Sequence, residues 1–271
     1  MIHISRSSPV EPDLAAAAFG EQPDRWPLPA ATTPDQRWLR AVAAGGQGRY
    51  ASARSDLAVL LRSAPSGRLA SLACSTQASF LRQLGWHALA GGWDGRAWAL
   101  ACDDPEAAGD ALTGLAADAL GVGRLTTAAA LLGRADVFVA SAPPRSAVRR
   151  AWVAAELAMA GGEGAVAVRN AEVAVELAAT TLDGSARHRA KSQVVLAAAL
   201  CSSGALDRAK TVADAALELT GQFGLLPLRW AVACLLVDLG TETPTRIAEL
   251  RGIRDDCARR VEHWGGAWHR V

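Results

Sequence analysis

The 271-residue sequence has few of the residues that favour β-strands. Isoleucine is scarce and aromatic residues make up only 5% of the chain, whereas a strand-rich protein needs more β-branched and aromatic side chains. The hydrophobic content of 51% is mostly Ala, Leu and Val, which suffices for a core and excludes a disordered chain. The composition therefore predicts an all-α protein.

Lysine is almost absent, occurring only at Lys191 and Lys210, while arginine is plentiful, as is typical of a GC-rich bacterial genome. The formal net charge of +1 provides no overall attraction to nucleic acid or membrane. The longest uncharged apolar segment, residues 192–206, is shorter than the roughly 20 residues that a bilayer requires. Acidic Glu11 and Asp13 argue against an N-terminal signal. We expect a protein without membrane contact.

Paired cysteines are lacking as well. The five cysteines are widely spaced, without a Cys-x-x-Cys pair, and most lie in apolar runs where a thiol packs as a small hydrophobe. This usage is typical of a reducing compartment. The sequence therefore predicts a cytoplasmic location.

Motifs of known enzyme classes are missing too. There is no His-Glu-x-x-His, no Gly-x-Ser-x-Gly and no Walker loop. The glycine runs at 45–48 and 121–123 lie between helical patterns and lack the remaining residues of a phosphate-binding loop, so we interpret them as turns. Cys257, His263 and His269 match no usual metal-ligand spacing. We expect no catalytic residue, no cofactor and no metal site.

Residues 34–65 form the clearest positive pattern, a helix, a turn and a second helix. Two such helices cannot bury their apolar faces alone, so hairpins of this kind stack and share a core. The pattern is carried by Trp38, Gly48, Tyr50, Ala53, Leu57, Leu60 and Pro65. In this spacing the chain resembles the tetratricopeptide-repeat (TPR) family.

The same spacing recurs at Gly123, Leu125, Ala128, Leu132 and Ala135, and again at Gly204, Leu206, Ala209, Ala213 and Ala216. Weaker copies span residues 69–102, 145–182 and 227–261, and Asp94 departs from the pattern where an aromatic or leucine is usual. The resemblance implies an α-solenoid of about six antiparallel helix-turn-helix hairpins in a right-handed superhelix.

The chain divides into three predicted parts. Residues 1–33 are a Pro-rich extended arm that leaves room for one short turn of helix over residues 13–19, residues 34–262 are the repeat domain and residues 263–271 a C-terminal tail. We expect Trp26 to anchor the arm to the repeats.

In the TPR family the first helix of each hairpin lines the concave groove, and the resemblance implies the groove residues here. They are Trp38, Arg82, Trp86, Thr113, Arg149, Trp152, Glu156, Lys191 and Val194. Indoles and cations alternate among them, and this combination suits an acidic or C-terminal peptide. An alternative remains, in which the tryptophans fill the core and the cations are solvated.

A second basic cluster is predicted at one edge of the fourth and fifth hairpins. It consists of Arg145, Arg149 and Arg150 together with Arg187, His188, Arg189 and Lys191. Such an edge could contact nucleic acid, but the small net charge and the absence of a helix-turn-helix motif favour acidic peptides.

The sequence therefore predicts a non-catalytic protein-binding scaffold or regulatory adaptor, in transcription or signalling. It would recognise an acidic or C-terminal segment of another protein in its groove. The alternative is a regulator that senses a peptide or small ligand, and nucleic-acid binding is less favoured. The identity of the partner, a homodimer and an arm that fills the groove all stay open.

Overall fold

A computed structural model describes residues 10–182, 184–240 and 243–269. Within these ranges the protein contains thirteen α-helices and no strand, which confirms the all-α class. The helices are α1 (Val10–Phe19), α2 (Pro34–Gly46), α3 (Tyr50–Ser63), α4 (Gly67–Gln83), α5 (His87–Leu100), α6 (Pro105–Gly121), α7 (Leu125–Val139), α8 (Pro144–Ala160), α9 (Gly164–Thr180), α10 (Ala186–Ser202), α11 (Leu206–Gln222), α12 (Leu226–Leu239) and α13 (Pro244–His263).

Proline and capping residues set several helix starts. α2, α6, α8 and α13 each begin with proline, whose fixed φ suits the first helical position and whose missing N–H has no intrahelical partner there. The Thr33 hydroxyl accepts a hydrogen bond from the Gln36 N–H at 3.2 Å, and Asp104 accepts one from the Ala107 N–H at 2.8 Å. These signals are local and readable from the sequence.

A recurring glycine turn joins the two helices of a pair. Gly48 has φ of 81°, and the next residue, Arg49, donates its N–H to the Ala44 carbonyl at 2.9 Å. This geometry ends a helix by satisfying one of its last carbonyls, and it needs a residue that tolerates positive φ. It repeats at Gly123, Gly162 and Gly204.

Gly45 and Gly46 do not lie in a turn, although the sequence predicted one over residues 45–48. Both belong to α2. Their role is steric, because a Cβ at Gly45 would overlap the Phe80 ring and one at Gly46 would lie 3.1 Å from Arg187 Cδ. Gly45 lets α4 approach α2 closely, and Gly46 leaves room for the Arg187 side chain of α10.

Successive helices pack side by side, and the first helices of neighbouring pairs also pack on one another, from α2 through α4, α6, α8 and α10 to α12. This makes an inner layer of first helices. Small residues allow the close approach within each pair, and the alanines at 53, 97, 128, 167 and 209 are all fully buried. None of the described helices combines the length and hydropathy needed to cross a bilayer.

The N-terminal arm contains a ten-residue helix, longer than the short turn over residues 13–19 that the sequence allowed in an otherwise extended segment. α1 tolerates Pro12 because this residue lies in the first turn, where its missing N–H costs no bond. Leu14, Ala17 and Ala18 are buried, and α1 packs against α2 and α10. Trp26 then stacks on the Arg49 guanidinium, 3.9 Å from the ring centre, so it holds the arm to the first pair.

The two ends of the array are in contact. Val261 of α13 packs in the same core cluster as α2 and α3, and the Trp264 carbonyl accepts the Ala51 N–H at 2.9 Å. Further along the tail, His269 donates its N–H to the Leu84 carbonyl at 2.8 Å. The first and last helix pairs therefore close around the inner layer.

Candidate functional site

The inner layer of helices surrounds a cavity of about 370 Å³. α2, α4, α6, α8 and α10 supply most of its wall, together with Phe19 of α1 and Leu228 of α12. Volumes of this size hold small ligands or a few residues of a peptide. Aromatic rings and guanidinium groups share the wall, so the cavity is both apolar and cationic.

Arg82 joins three helices through two carboxylates. Its guanidinium on α4 pairs with Asp94 of α5 and, at 3.0 Å, with Asp118 of α6. Burial, helped by the nearby Asp118 and opposed by Arg82, raises the pKa of Asp94 to about 7. Asp94 Oδ1 and Asp118 Oδ2 are buried and find no hydrogen-bond partner within the described part of the chain. We interpret the two carboxyl groups as holding one proton between them near neutral pH.

A second buried network lies at the amino-terminal ends of α6 and α8. Arg145 pairs with Glu106 and with Asp110, each at 2.7 Å, and Arg149 also pairs with Asp110, at 2.6 Å. Burial alone would raise the pKa of Asp110, but Arg145 and Arg149 outweigh burial and hold this pKa below its usual range. Asp110 is therefore ionised, and it neutralises part of the charge of both arginines.

Arg187 is a cavity cation of a different kind. Its guanidinium donates to the Val42 carbonyl at 3.1 Å, and it makes no ion pair with any of the residues that the structure describes. Burial, together with the charges of Arg149 and Arg145, lowers the pKa of Arg187 to about 10. The cavity thus holds a positive charge that no carboxylate of the described ranges balances.

Aromatic side chains form the rest of the wall. The Trp152 indole stacks on His188, with ring centres 5.5 Å apart, and donates to Ser192 Oγ at 2.8 Å. Trp38 donates to Thr76 Oγ1 at 3.1 Å. Burial lowers the pKa of His188 well below its ordinary value, and neighbouring arginines add to the effect, so this ring is neutral at neutral pH.

Most of the residues predicted for the groove and the basic edge come together in this cavity. They form one surface, whereas the sequence suggested a groove and a separate edge. The predicted residues that line the cavity are Trp38, Arg82, Thr113, Arg149, Trp152, Glu156, Lys191, Arg145, Arg187 and His188. Lys191 and Glu156 pair with each other at 3.0 Å, so neither presents a free charge.

Four predicted residues do not line the cavity. Trp86 precedes α5 and donates its indole N–H to the Ala267 carbonyl at 2.7 Å, so it fastens the tail. Arg150 pairs with Asp136 of α7 at 2.8 Å, Val194 is in the core between α10 and its neighbours, and Arg189 is outside the wall. One residue along a helix rotates a side chain by about 100°, which separates Arg150 from Arg149 and Arg189 from His188.

Sequence reasoning missed several wall residues, among them Phe19, Val42, Phe80 and Asp110. Phe19 lay at the end of the short turn that the sequence allowed in an otherwise extended arm. Asp110 carried a usable signal, because a carboxylate among alanines and leucines of a buried helix requires a cationic partner. Asp94 carried the same signal as a departure from the repeat pattern.

Comparison of the sequence with models of known protein families finds no match, and comparison with curated proteins finds no significant similarity.

Proposed function

We propose that this protein is a non-catalytic regulator of TPR type from the bacterial cytoplasm, built as a right-handed solenoid of six hairpins. Its cavity would bind a small ligand or a short peptide segment, and binding would control a partner in transcription or signalling. The recurrent glycine turns and buried alanines support the repeat assignment. The arginine and aromatic lining of the cavity supports ligand binding.

The limited size of the cavity is the observation that carries this proposal. α1 packs across α2 and α10, and the tail meets the first helix pairs, so the cavity is only partly open to solvent. A long open groove would suit a long protein segment, whereas a partly open cavity of about 370 Å³ suits a small ligand or a few residues of a peptide. The geometry therefore favours the ligand-sensing alternative over a scaffold for a folded partner.

A scaffold that recognises an acidic protein segment stays the second candidate. Arg145, Arg149 and Arg187 on one wall favour it, since arginine holds carboxylates bidentately. A long segment would need α1 to leave its place, and the fully buried Leu14 opposes this movement.

Thermal unfolding in the presence of short peptides and small organic acids tests the proposal. We expect at least one class to raise the midpoint of the wild type, because a ligand that binds only the folded state stabilises it. Ala117→Phe fills the cavity from α6 and should abolish the shift. The control Ala129→Phe adds the same ring on the exposed face of α7 and should keep it. A shift that survives Ala117→Phe would contradict the cavity as the site.

A further inference from the structure

We infer that Arg187 is the binding position for a single carboxylate on a ligand with an apolar body, whether a small organic acid or the C-terminus of an apolar peptide. The inference rests on the proposed function and names the chemical class of the ligand. It starts from the one feature of the cavity that the protein leaves unbalanced.

The charges of the wall separate Arg187 from the other cations. Arg82 has two carboxylate partners, Arg145 has two and Arg149 has one, and Lys191 has Glu156. Arg187 has the Val42 carbonyl, and no carboxylate among the described residues approaches it. Arg187 is half-buried, so its charge is partly desolvated, and a bound anion would supply the carboxylate partner that the other cations of the wall already have.

The neighbouring arginines and their carboxylate partners act on this position as well. Arg145 and Arg149 act on Arg187 strongly enough to lower its pKa, so the same two charges would act favourably on a carboxylate bound there. Glu106 and Asp110 pair with these two arginines and offset their charge. The positive charge left over at this position is therefore that of Arg187 itself.

The surroundings of Arg187 are otherwise apolar. Its guanidinium carbon lies 5.6 Å from the centre of the Phe19 ring, and its stem passes Gly46, near Leu225. Val42, Phe80 and Leu228 line the same cavity. A ligand whose carboxylate meets Arg187 would therefore place its body against rings and aliphatic groups, where a second charge would lose its hydration without a partner.

The cavity wall thus selects a ligand by the number of its charges as well as by their sign. One uncompensated cation matches one carboxylate, and the surplus apolar surface rewards a hydrocarbon body. We expect an apolar monocarboxylate to bind better than a dicarboxylate of the same length, and much better than the neutral amide.

Isothermal titration calorimetry of the full chain with five small probes tests these expectations. Octanoate is compared with octanamide, which removes the charge, and with octanedioate, which adds a second one. N-acetyl-Leu-Leu with a free or an amidated C-terminus provides the peptide arm. Replacing the carboxylate by an amide should weaken binding on the order of 10- to 100-fold, as expected for a charge-assisted pair. Tighter binding of octanoate would identify a small organic acid as the ligand, and tighter binding of the peptide with a free C-terminus would identify a peptide C-terminus.

Arg187→Gln should weaken the binding of the carboxylate probes by the same factor and leave the binding of the amides unchanged. Arg208→Gln is the control, because Arg208 is an exposed arginine of α11 outside this cavity. Should Arg187→Gln fail to fold, the comparison of octanoate with octanamide on the wild type still decides the question.

The outcomes separate the two proposals. Equal binding of carboxylates and amides, both lost in Ala117→Phe, would overturn the role of Arg187 and leave the cavity as the ligand site. Tighter binding of octanedioate than of octanoate would overturn the single-charge inference. If no probe binds at millimolar concentration, the inference is wrong, while the panel of peptides and acids still tests the cavity.

Discussion

Arg145 and Arg187 stand on neighbouring inner helices and border the same cavity, but only Arg145 has carboxylate partners. We expect Arg145→Gln to lower the free energy of unfolding by about 3 kcal/mol, at the low end for breaking a buried pair, since Arg68 and Arg149 still serve the two carboxylates. Arg187→Gln should leave stability nearly unchanged, because it removes a half-buried charge that has no carboxylate partner among the described residues. Urea unfolding of both variants measures the difference. A larger loss of unfolding free energy for Arg187→Gln than for Arg145→Gln would contradict the assignment of carboxylate partners to Arg145 but not to Arg187.

The raised pKa of Asp94 predicts how the stability of the protein depends on pH. In the folded protein this group keeps its proton up to a pKa of about 7, whereas its ordinary value is 3.8. The folded state therefore binds more protons between these values, so the contribution of Asp94 to stability is complete below pH 3.8 and falls as the pH rises to about 7. Asp94→Asn, which cannot ionise, should gain stability relative to the wild type over this window.

Denaturant titrations of Asp94→Asn and wild type at pH 5, 6 and 7 measure this gain. Asp255→Asn is the control, because Asp255 is an exposed residue of α13 beside Arg254. Parallel pH profiles for wild type and Asp94→Asn would mean that the buried carboxyl groups do not hold a proton.

At the scale of the helix, two glycines inside helices should respond oppositely to alanine. Gly45 of α2 has no room for a Cβ because of the Phe80 ring, whereas Gly133 of α7 has nothing within 4 Å. Gly133→Ala should stabilise the protein by up to about 1 kcal/mol, the difference in helix propensity. Gly45→Ala should destabilise it by about 1–3 kcal/mol, because overpacking outweighs the propensity gain. Thermal and urea unfolding compare the pair, and stabilisation by both changes would refute the steric role of Gly45.

Much of each helix could be read from local signals. The prolines that open α2, α6, α8 and α13, the Gly48 turn and the buried Ala53 follow from backbone and packing rules that act within one hairpin. Only the later part of α1 was anticipated, as a short turn over residues 13–19, because the density of prolines outweighed the fact that a helix tolerates Pro12 in its first turn. Local rules also did not determine which side of a helix each residue faces. Arg149 lines the cavity, whereas its neighbour Arg150 pairs with Asp136 outside it.

At the scale of the molecule, the closure of the array depends on the tail. A chain that ends at His263 loses the indole rings of Trp264 and Trp268 and the backbone bonds to Ala51 and Leu84. We expect a loss of roughly 3 kcal/mol, from two partly buried aromatic side chains. Urea unfolding measures the loss, and small-angle scattering should show a larger radius of gyration. The matched variant Val137→Ala, at an exposed position of α7, should change neither quantity. Unchanged scattering after truncation would show that the helix pairs close without the tail.

Only part of the cavity could be predicted from the sequence, because the cavity depends on contacts across the whole molecule. The repeat pattern indicated which helices face inward, and it therefore found Trp38, Arg149 and Trp152. It could not indicate that the ends meet or that α1 enters the wall, because these contacts join residues far apart in sequence, such as Arg187 and Val42. The unbalanced charge of Arg187 became visible only when all of its neighbours were known.

The contact between the first and last helix pairs also changes how the molecule should lose its structure. In an open array each repeat touches only its neighbours, so the terminal repeats fray first and unfolding spreads inward. Here the pair that would fray at one end is held by the pair at the other, with Arg49 stacked between Trp26 of the arm and Trp264 of the tail. Neither end can detach without disturbing the other, and a chain of separable units becomes a single cooperative unit.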